Sequence, residues 1–588
     1  MPNKTLTQDA PKGTWERQNL DGYRAAHAIA DVLFQAGIKE MFGQSCPTSI
    51  CLAAEQKGIK QIGYRTENAG VAMADGAARI SRKISVILAQ NGPAAALLVA
   101  GLAEALKASV PILAIVQEVP RSTADKNAFQ ELDHLKIFSG CTKWVRRIDI
   151  ADRAGEMTAR AIQVATSGRP GPVVLLVSPD VLTQPAKAFH AFNQGADSVF
   201  GNYPADRFTP SSNGVREAVD LLIKAKQPLL VVGGGVHHSG AYSAIEKLQS
   251  LAGIPVATTN MGKGAINESH PLSIGVIGNA MGTRAPAKFF RDYIQGSDLI
   301  VFLGTRTNEN GTSGWSLFPA SATYIQIDID PEELGRNYPA LRLLGDARVT
   351  LEEINLNLQT QDLSGLSERS KTMTSLIAER KKLHRQELTQ SLKTPDGLLH
   401  PERVVACLAE LGDEVVWVAD ASYSSIWLVQ YLPSLQAGTR FLTPRGIAGL
   451  GWGFPMAIGS KLATPEKRVV CLTGDGGFAH CWAELETARR HQVPLTIVVL
   501  NNGVLGFQIN AEESRFGTHT SVCHFGPIDH VAIAKACGCD GMTVFDEKGL
   551  QEALRVGCQS SVPFVIDVKA DPSAFPPITA FESQRASA

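Results

Sequence analysis

The feature that most restricts the fold is an alternation repeated along the chain: helix-like stretches separated by short β-branched, apolar runs with few polar interruptions. Such runs suit strands buried on both faces, and the intervening helices are the crossovers that parallel strands need. From Gly22 onward the pattern predicts a helix over 22–36, a strand at ISVILA (84–89), a helix near 94–107, a strand at PILAIV (111–116) and a last strand in RPGPVVLLVSPD (169–180). Residues 181–212 lose periodicity and collect Pro, Gly, Asn and Ser, a connection too long for the inside of one compact domain. A second unit carries PLLVVGGGV (228–236), IPVATT (254–259), DLIVFLG (298–304) and YIQIDID (324–330). A polar, helix-patterned segment over 358–400 leads to a third, with a helix over 401–411 and strands at EVVWVAD (414–420), RVVCLTGDGG (468–477), PLTIVVLNN (494–502) and PFVIDV (563–568). At 588 residues the chain has room for three large domains. The expected fold is therefore α/β, with three doubly wound parallel-sheet domains over 20–185, 210–357 and 400–575.

Charge narrows the partners. The 56 Lys+Arg and 57 Asp+Glu nearly cancel, and no basic stripe interleaves with aromatics, so neither nucleic acid nor an anionic membrane is an expected partner. Small molecules and copies of the chain itself remain. No apolar run reaches the ~18 residues of a membrane span, and the first twenty residues lack the apolar core of a secretory signal, which points to a soluble cytoplasmic protein. The ten cysteines are scattered except for Cys537 and Cys539, whose gap is too short for a zinc knuckle; buried reduced thiols are expected.

The most informative stretch is Gly474-Asp475-Gly476-Gly477, placed directly after a strand, with Asn501-Asn502 ending the next one. Glycines between a strand and a helix let backbone N–H groups approach phosphate oxygens, and Asp475 and Asn502 at two strand ends offer oxygen ligands to a divalent cation. Each is ordinary turn chemistry on its own. Together, with 24 residues between Gly476 and Asn501, they resemble the thiamin-diphosphate motif. Beyond its first twenty residues nearly the whole chain is similar to the acetolactate synthase-like family of thiamin-diphosphate enzymes.

That resemblance implies pyrimidine-binding, central nucleotide-binding-like and diphosphate-binding domains in that order. It implies Mg²⁺ on the Asp475 and Asn502 side chains and the Val504 carbonyl, with Gly474, Gly476, Gly477, Leu505 and Gly506 completing the diphosphate site. In YRTENAGVAMADGAAR (64–79), Glu67 matches the glutamate that hydrogen-bonds the coenzyme's pyrimidine nitrogen, while Arg65 should point elsewhere. The small residues after Glu67, Gly70 and Gly76 among them, keep its helix thin enough for close packing. In GIAGLGWGFPMAIGS (446–460), Leu450 takes the place of the apolar prop under the bent coenzyme, and the Ala448 carbonyl that of the aminopyrimidine acceptor. ADASYSS (419–425) supplies Ser422 and Tyr423 beside the diphosphate.

Pro47 and Asn91 lie in loops matching the synthase's glycine-proline loop and SGPG turn, here Gly43-Gln44-Ser45-Cys46 followed by Pro47, and Asn91-Gly92-Pro93-Ala94. Phe129 and Gln130 would face the reacting carbons, and Lys143 matches a lysine of the same wall. Because family members place Glu67 and the diphosphate clamp in different subunits, a homodimer is the minimum assembly, and tetramers are common among relatives.

The implied reaction is decarboxylation of a pyruvate-type 2-keto acid and ligation of the remainder to a carbonyl acceptor. Simple decarboxylases deliver a proton through paired histidines; the one adjacent pair here, His237-His238, reads as a surface turn after Gly233-Gly234-Gly235. Two departures keep the substrates open. Ala511 stands where the biosynthetic synthase has a tryptophan, and Thr307-Asn308-Glu309-Asn310 replaces its FDDR run. Sulfoacetaldehyde acetyltransferase and 2-hydroxyacyl-CoA lyase are therefore alternative readings. The central domain resembles the region holding FAD in the synthase or an adenine nucleotide in the CoA lyases, with Gly234, Arg306 and Asp328 as contacts. A dinucleotide-dependent dehydrogenase would explain those glycines but leaves Glu67 and the GDGG…NN pair without a role, and a catalytically silent homologue would have no need to keep them.

Overall fold

The structure is a computed structural model and describes residues 22–190, 200–390, 392 and 394–581. The reading of the first twenty residues lies outside these, as does the 191–199 part of the first connection.

Three six-stranded sheets are built from the apolar runs. The first has β1 (Glu40–Phe42), β2 (Lys60–Ile62), β3 (Ser85–Ala89), β4 (Ile112–Gln117), β5 (Trp144–Ile148) and β6 (Val173–Val177), in the order β2-β1-β3-β4-β6-β5. The second has β7 (Pro228–Val232), β8 (Val256–Thr258), β9 (Ser273–Val276), β10 (Leu299–Leu303), β11 (Thr323–Asp328) and β12 (Leu341–Leu344), ordered β12-β11-β10-β7-β8-β9. The third has β13 (Val415–Ala419), β14 (Phe441–Leu442), β15 (Arg468–Gly474), β16 (Thr496–Asn501), β17 (Asp540–Val544) and β18 (Phe564–Lys569), ordered β14-β13-β15-β16-β18-β17. All pairings within them are parallel, and helices flank each sheet, so the α/β class with three doubly wound sheets holds.

The pattern passes over β1, β2, β5, β9, β12, β14 and β17. The outermost of these are short or partly exposed, as in β12 and β17, so they carry no continuous apolar run to recognise.

In each sheet the chain winds away in both directions from two central neighbours: β1 and β3, β7 and β10, β13 and β15. The carboxyl ends of such a strand pair leave a crevice between diverging loops, where ligands bind in open α/β sheets. The three switch points therefore fix three candidate sites before any side chain is considered.

The first and third domains are joined by the most intimate helix pair of the molecule. Glu67–Ser81 packs on Gly453–Ala463 through glycines: a Cβ on Gly459 would lie 1.8 Å from the Met73 carbonyl oxygen, and one on Gly76 would lie 2.1 Å from that of Met456. The expected thinness of the Glu67 helix is thus used against its own chain. Between the first and second domains the connection is packed where described, with Tyr203 buried and its hydroxyl donating to the Ala78 carbonyl at 2.9 Å.

One expectation is corrected here. His237 and His238 are not on a surface turn but on the short helix Gly235–Ser239, wedged between domains. His237 lies 3.1 Å from the Tyr242 hydroxyl and 3.0 Å from the Lys263 carbonyl; His238 lies 3.3 Å from the Ala108 carbonyl. Burial pushes both imidazoles well down, His238 to about 3, so they stay neutral. The glycines ahead of them let the chain turn inward between β7 and β10: a Cβ on Gly233 would meet the Gly304 carbonyl at 2.3 Å. The ten cysteines are all free, and seven are buried. Among the described residues no helix is long and apolar enough to cross a membrane.

Candidate active site

At the switch point of the third sheet, β15 ends in Gly474 and Asp475 opens a helix. The two Asp475 oxygens accept N–H groups from Gly476 (2.9 Å) and Gly503 (2.7 Å), which ties the β15 loop to the loop after β16. Burial pushes the Asp475 carboxyl up, against the lowering effect of the N–H groups it accepts. Asn502 Oδ1 accepts the Val504 N–H at 3.2 Å, so aspartate, asparagine and a free carbonyl converge as oxygen donors of the kind Mg²⁺ takes alongside phosphate oxygens.

A cavity of about 640 Å³ opens over these groups, well inside the size range of small-molecule sites. Gly474, Gly476, Gly477, Val504, Leu505 and Gly506 line one wall; Ser422 and Tyr423, after β13, line another. Ser422 holds a left-handed φ of 66° where the Tyr423–Tyr431 helix begins, and the Tyr423 hydroxyl is 2.7 Å from Asn510 Nδ2. Ala448 and Leu450 form a third side, with Leu450 turning an apolar, 37 % exposed side chain toward the space. Beneath them Asp420, which the sequence did not single out, accepts N–H groups from Gly451, Trp452 and Gly453 at 2.9–3.1 Å and pins the loop leading into the Gly453–Ala463 helix.

The first-domain candidates gather at the carboxyl edge of a different sheet. Glu67 begins its helix after β2, Pro47 follows β1, and Asn91 follows β3. Asn91 Nδ2 donates to the Phe129 and Gln130 carbonyls, and Gln130 Oε1 accepts from Gln90, so these four residues form one loop cluster. Phe129 is 83 % exposed and Gln130 has a left-handed φ of 63°. The Glu67 carboxyl is 9 % exposed and makes no hydrogen bond to any described residue. Arg65 turns away, as expected, to pair with Glu486.

Lys143 is a correction. It precedes β5 at the opposite, amino edge of the sheet, where its Nζ reaches the carbonyls of Val164, Ser167 and Arg169 at 2.6–2.9 Å. It closes a helix end and forms no wall with Phe129.

Two buried carboxylates that sequence reasoning missed connect the halves. Glu104, on the first-domain helix Pro93–Ala108, accepts the N–H groups of Gly446 (2.6 Å), Ile447 (2.6 Å) and Ala448 (3.2 Å). Glu484, in the third domain, accepts the Arg65 and Thr66 N–H groups at 3.0 and 3.2 Å, just ahead of Glu67. Each domain thus fixes the loop that carries the other's candidate group. The one available signal was Glu104 itself, an acid alone in the apolar helix PAAALLVAGLAEALKA.

In the second sheet, Gly234, Arg306 and Asp328 come together around a crevice of about 120 Å³ between the first two domains. Burial raises the Asp328 carboxyl to about 7 and lowers the Arg306 guanidinium. The space is below the ~300–1,000 Å³ of a whole small-molecule site. Ala511 and Asn310, the departures from the synthase pattern, border a second open cleft of about 1340 Å³ that adjoins the cavity over Asp475.

Three family models match along the chain: the thiamine pyrophosphate enzyme N-terminal TPP binding domain over 23–137, the central domain over 215–354, and the C-terminal TPP binding domain over 420–568. Among known proteins, the chain is 30 % identical over 527 residues to a probable acetolactate synthase large subunit of Methanococcus aeolicus, covering 87 % of this chain and 85 % of that one. It is 31 % identical over 555 residues to the acetolactate synthase large subunit of Parasynechococcus marenigrum (92 % and 87 % covered). It is 32 % identical over 542 residues to an acetolactate synthase of Mycobacterium leprae (89 % and 83 % covered).

Proposed function

The chain belongs to the thiamine pyrophosphate enzymes of acetolactate synthase type, and from that membership we propose a carboligase whose active sites are each completed by two copies of the chain. The donor is a pyruvate-type 2-keto acid, which loses carbon dioxide before its remaining fragment joins a carbonyl acceptor. When bound, thiamin diphosphate supplies the nucleophilic carbon and the electron sink that such cleavage requires.

The residues present fit that coenzyme. Asp475, Asn502 and the Val504 carbonyl would hold Mg²⁺, and a Cβ at Gly474 or Gly503 would meet only open space, so the backbone there can approach phosphate. Leu450 would support the ring system, and the Ala448 carbonyl would accept from its amino group. Glu67 would share a proton with the pyrimidine nitrogen.

One observation carries the shared-site reading. The cavity over Asp475 takes none of its walls from described residues before Asn279, while the buried Glu67 carboxyl has no hydrogen-bond partner among the described residues of the same chain. Each half lacks what a second copy would bring. The ten free thiols support a reducing compartment, and we place the enzyme in the cytoplasm. The crevice at Gly234, Arg306 and Asp328 would take the adenosine part of a nucleotide as a structural ligand.

A second reading rests on Ala511. A small side chain beside the 1340 Å³ cleft leaves space for an acceptor or acyl group larger than the synthase admits, as a 2-hydroxyacyl-CoA lyase or an acetyltransferase of the sulfoacetaldehyde type would need. Incubating the reconstituted protein with 2-keto acids, aldehydes and 2-hydroxyacyl-CoA esters, with products read by mass, decides between them. A ligated hydroxyketone from pyruvate supports the carboligase; cleavage of acyl-CoA esters without keto-acid turnover supports the lyase.

A further inference from the structure

Arg445 lies on the loop between β14 and the Gly453–Ala463 helix, three residues before Ala448, and lines the same cavity as Asp475 and Ser422. Its Nη2 donates to Ser425 Oγ, whose own proton goes to the Ser422 carbonyl at 2.8 Å. The guanidinium is thus fastened to the first turn of the Tyr423–Tyr431 helix, an end that favours negative charge. Its Nε is buried and makes no hydrogen bond.

No carboxylate among the described residues forms an ion pair with Arg445. Glu104, the acid whose charge acts on Arg445, already accepts three N–H groups from the residues that follow Arg445. Burial pushes the Arg445 pKa down to about 10, an effect that the Glu104 charge offsets only in part. Arg445 is half-buried, and a charge drawn partly out of water is normally met by a counter-ion. The missing anion must come from what enters the cavity, and the helix end and glycine turn beside Arg445 suit a phosphate.

We infer that Arg445 is a cationic clamp on the coenzyme's diphosphate, acting in addition to the metal. The inference rests on the thiamin-diphosphate reading above. A plain guanidinium suits this task because its planar fork bonds two phosphate oxygens at once.

The test is a binding titration without turnover. Apoprotein carrying Arg445→Met or Arg445→Lys is titrated with thiamin diphosphate and, separately, with thiamin, both in Mg²⁺, and followed by tryptophan fluorescence. Arg445→Met is expected to weaken thiamin diphosphate about 10-fold or more while leaving thiamin unchanged, and Arg445→Lys, which keeps the charge but not the fork, to recover only part of the affinity. Should the Met variant not fold, Arg445→Gln removes the charge while retaining a donor for Ser425, and is expected to show the same loss. Equal thiamin diphosphate affinity in wild type and neutral variants overturns the clamp, as does an equal loss for both ligands. In a companion turnover assay on the same variants, a loss confined to the donor's KM with thiamin diphosphate affinity unchanged also overturns it and assigns the cation to a substrate carboxylate. Failure of the wild-type protein to bind thiamin diphosphate at all strikes instead at the coenzyme reading.

Discussion

Glu67 begins a helix, is buried and finds no hydrogen-bond partner among the described residues of its own chain, which leaves its carboxyl for a ligand or a second copy to meet. Glu67→Gln preserves size but not the shared proton; turnover should fall at least about 100-fold with the unfolding midpoint unchanged, and full turnover in this variant removes the residue from the chemistry. Asp475 is held by two N–H groups whatever else is bound, so Asp475→Ala should leave the sheet intact while weakening Mg²⁺-dependent coenzyme binding at least about tenfold, measured by calorimetry. Asp328 gives a pH test. Its carboxyl is raised from 3.8 to about 7 by burial, so between those values the folded protein binds more protons than the unfolded one and stability declines as pH rises. Asp328→Asn should flatten that decline between about pH 4 and 7 in thermal unfolding. An unchanged slope would mean that another group sets it.

At the scale of elements, the crossed carboxylates decide how the two domains meet. Arg79 donates to the Thr443 carbonyl at 3.1 Å while Glu104 takes the N–H groups of 446–448, so one first-domain pair grips both ends of the loop that carries Arg445, Ala448 and, just beyond, Leu450. Glu104→Gln turns an amide NH₂ against those donors and should cost about 2–3 kcal/mol of stability, with a parallel loss of coenzyme affinity. Gly459→Ala, whose Cβ would sit 1.8 Å from the Met73 oxygen, should cost about 3 kcal/mol by forcing the paired helices apart. A variant as stable as wild type would show that this contact yields.

The same scale explains what the sequence could reveal. GDGG, NN and the glycines of the Glu67 helix are legible because backbone approach and close packing restrict residue type within a few positions. Glu104 and Arg445 are not, because what defines them lies far along the chain: Glu104 bonds Gly446, 342 residues away. The burial of His238 is illegible for the same reason, since the Ala108 carbonyl it meets lies 130 residues earlier in the first domain. Lys143 was misassigned because a match in spacing does not say at which edge of a sheet a residue falls.

For the whole molecule, the first and third sheets share one strand order, each chain position in the first matching one in the third, and the two domains face each other through the glycine-paired helices. On the shared-site reading a single chain presents two half-sites, Glu67 on one and Asp475 on the other, and Glu67 is not among the residues lining the cavity over Asp475. Two copies related by a twofold axis would pair each half with its complement. Co-expression of Glu67→Gln chains with Asp475→Ala chains measures this directly. Each variant alone should be inactive on pyruvate, but half of randomly paired dimers carry both kinds of chain and thus one intact site, so ~25 % of wild-type activity should return in the mixture. No activity beyond that of the separate variants would contradict a site shared between copies.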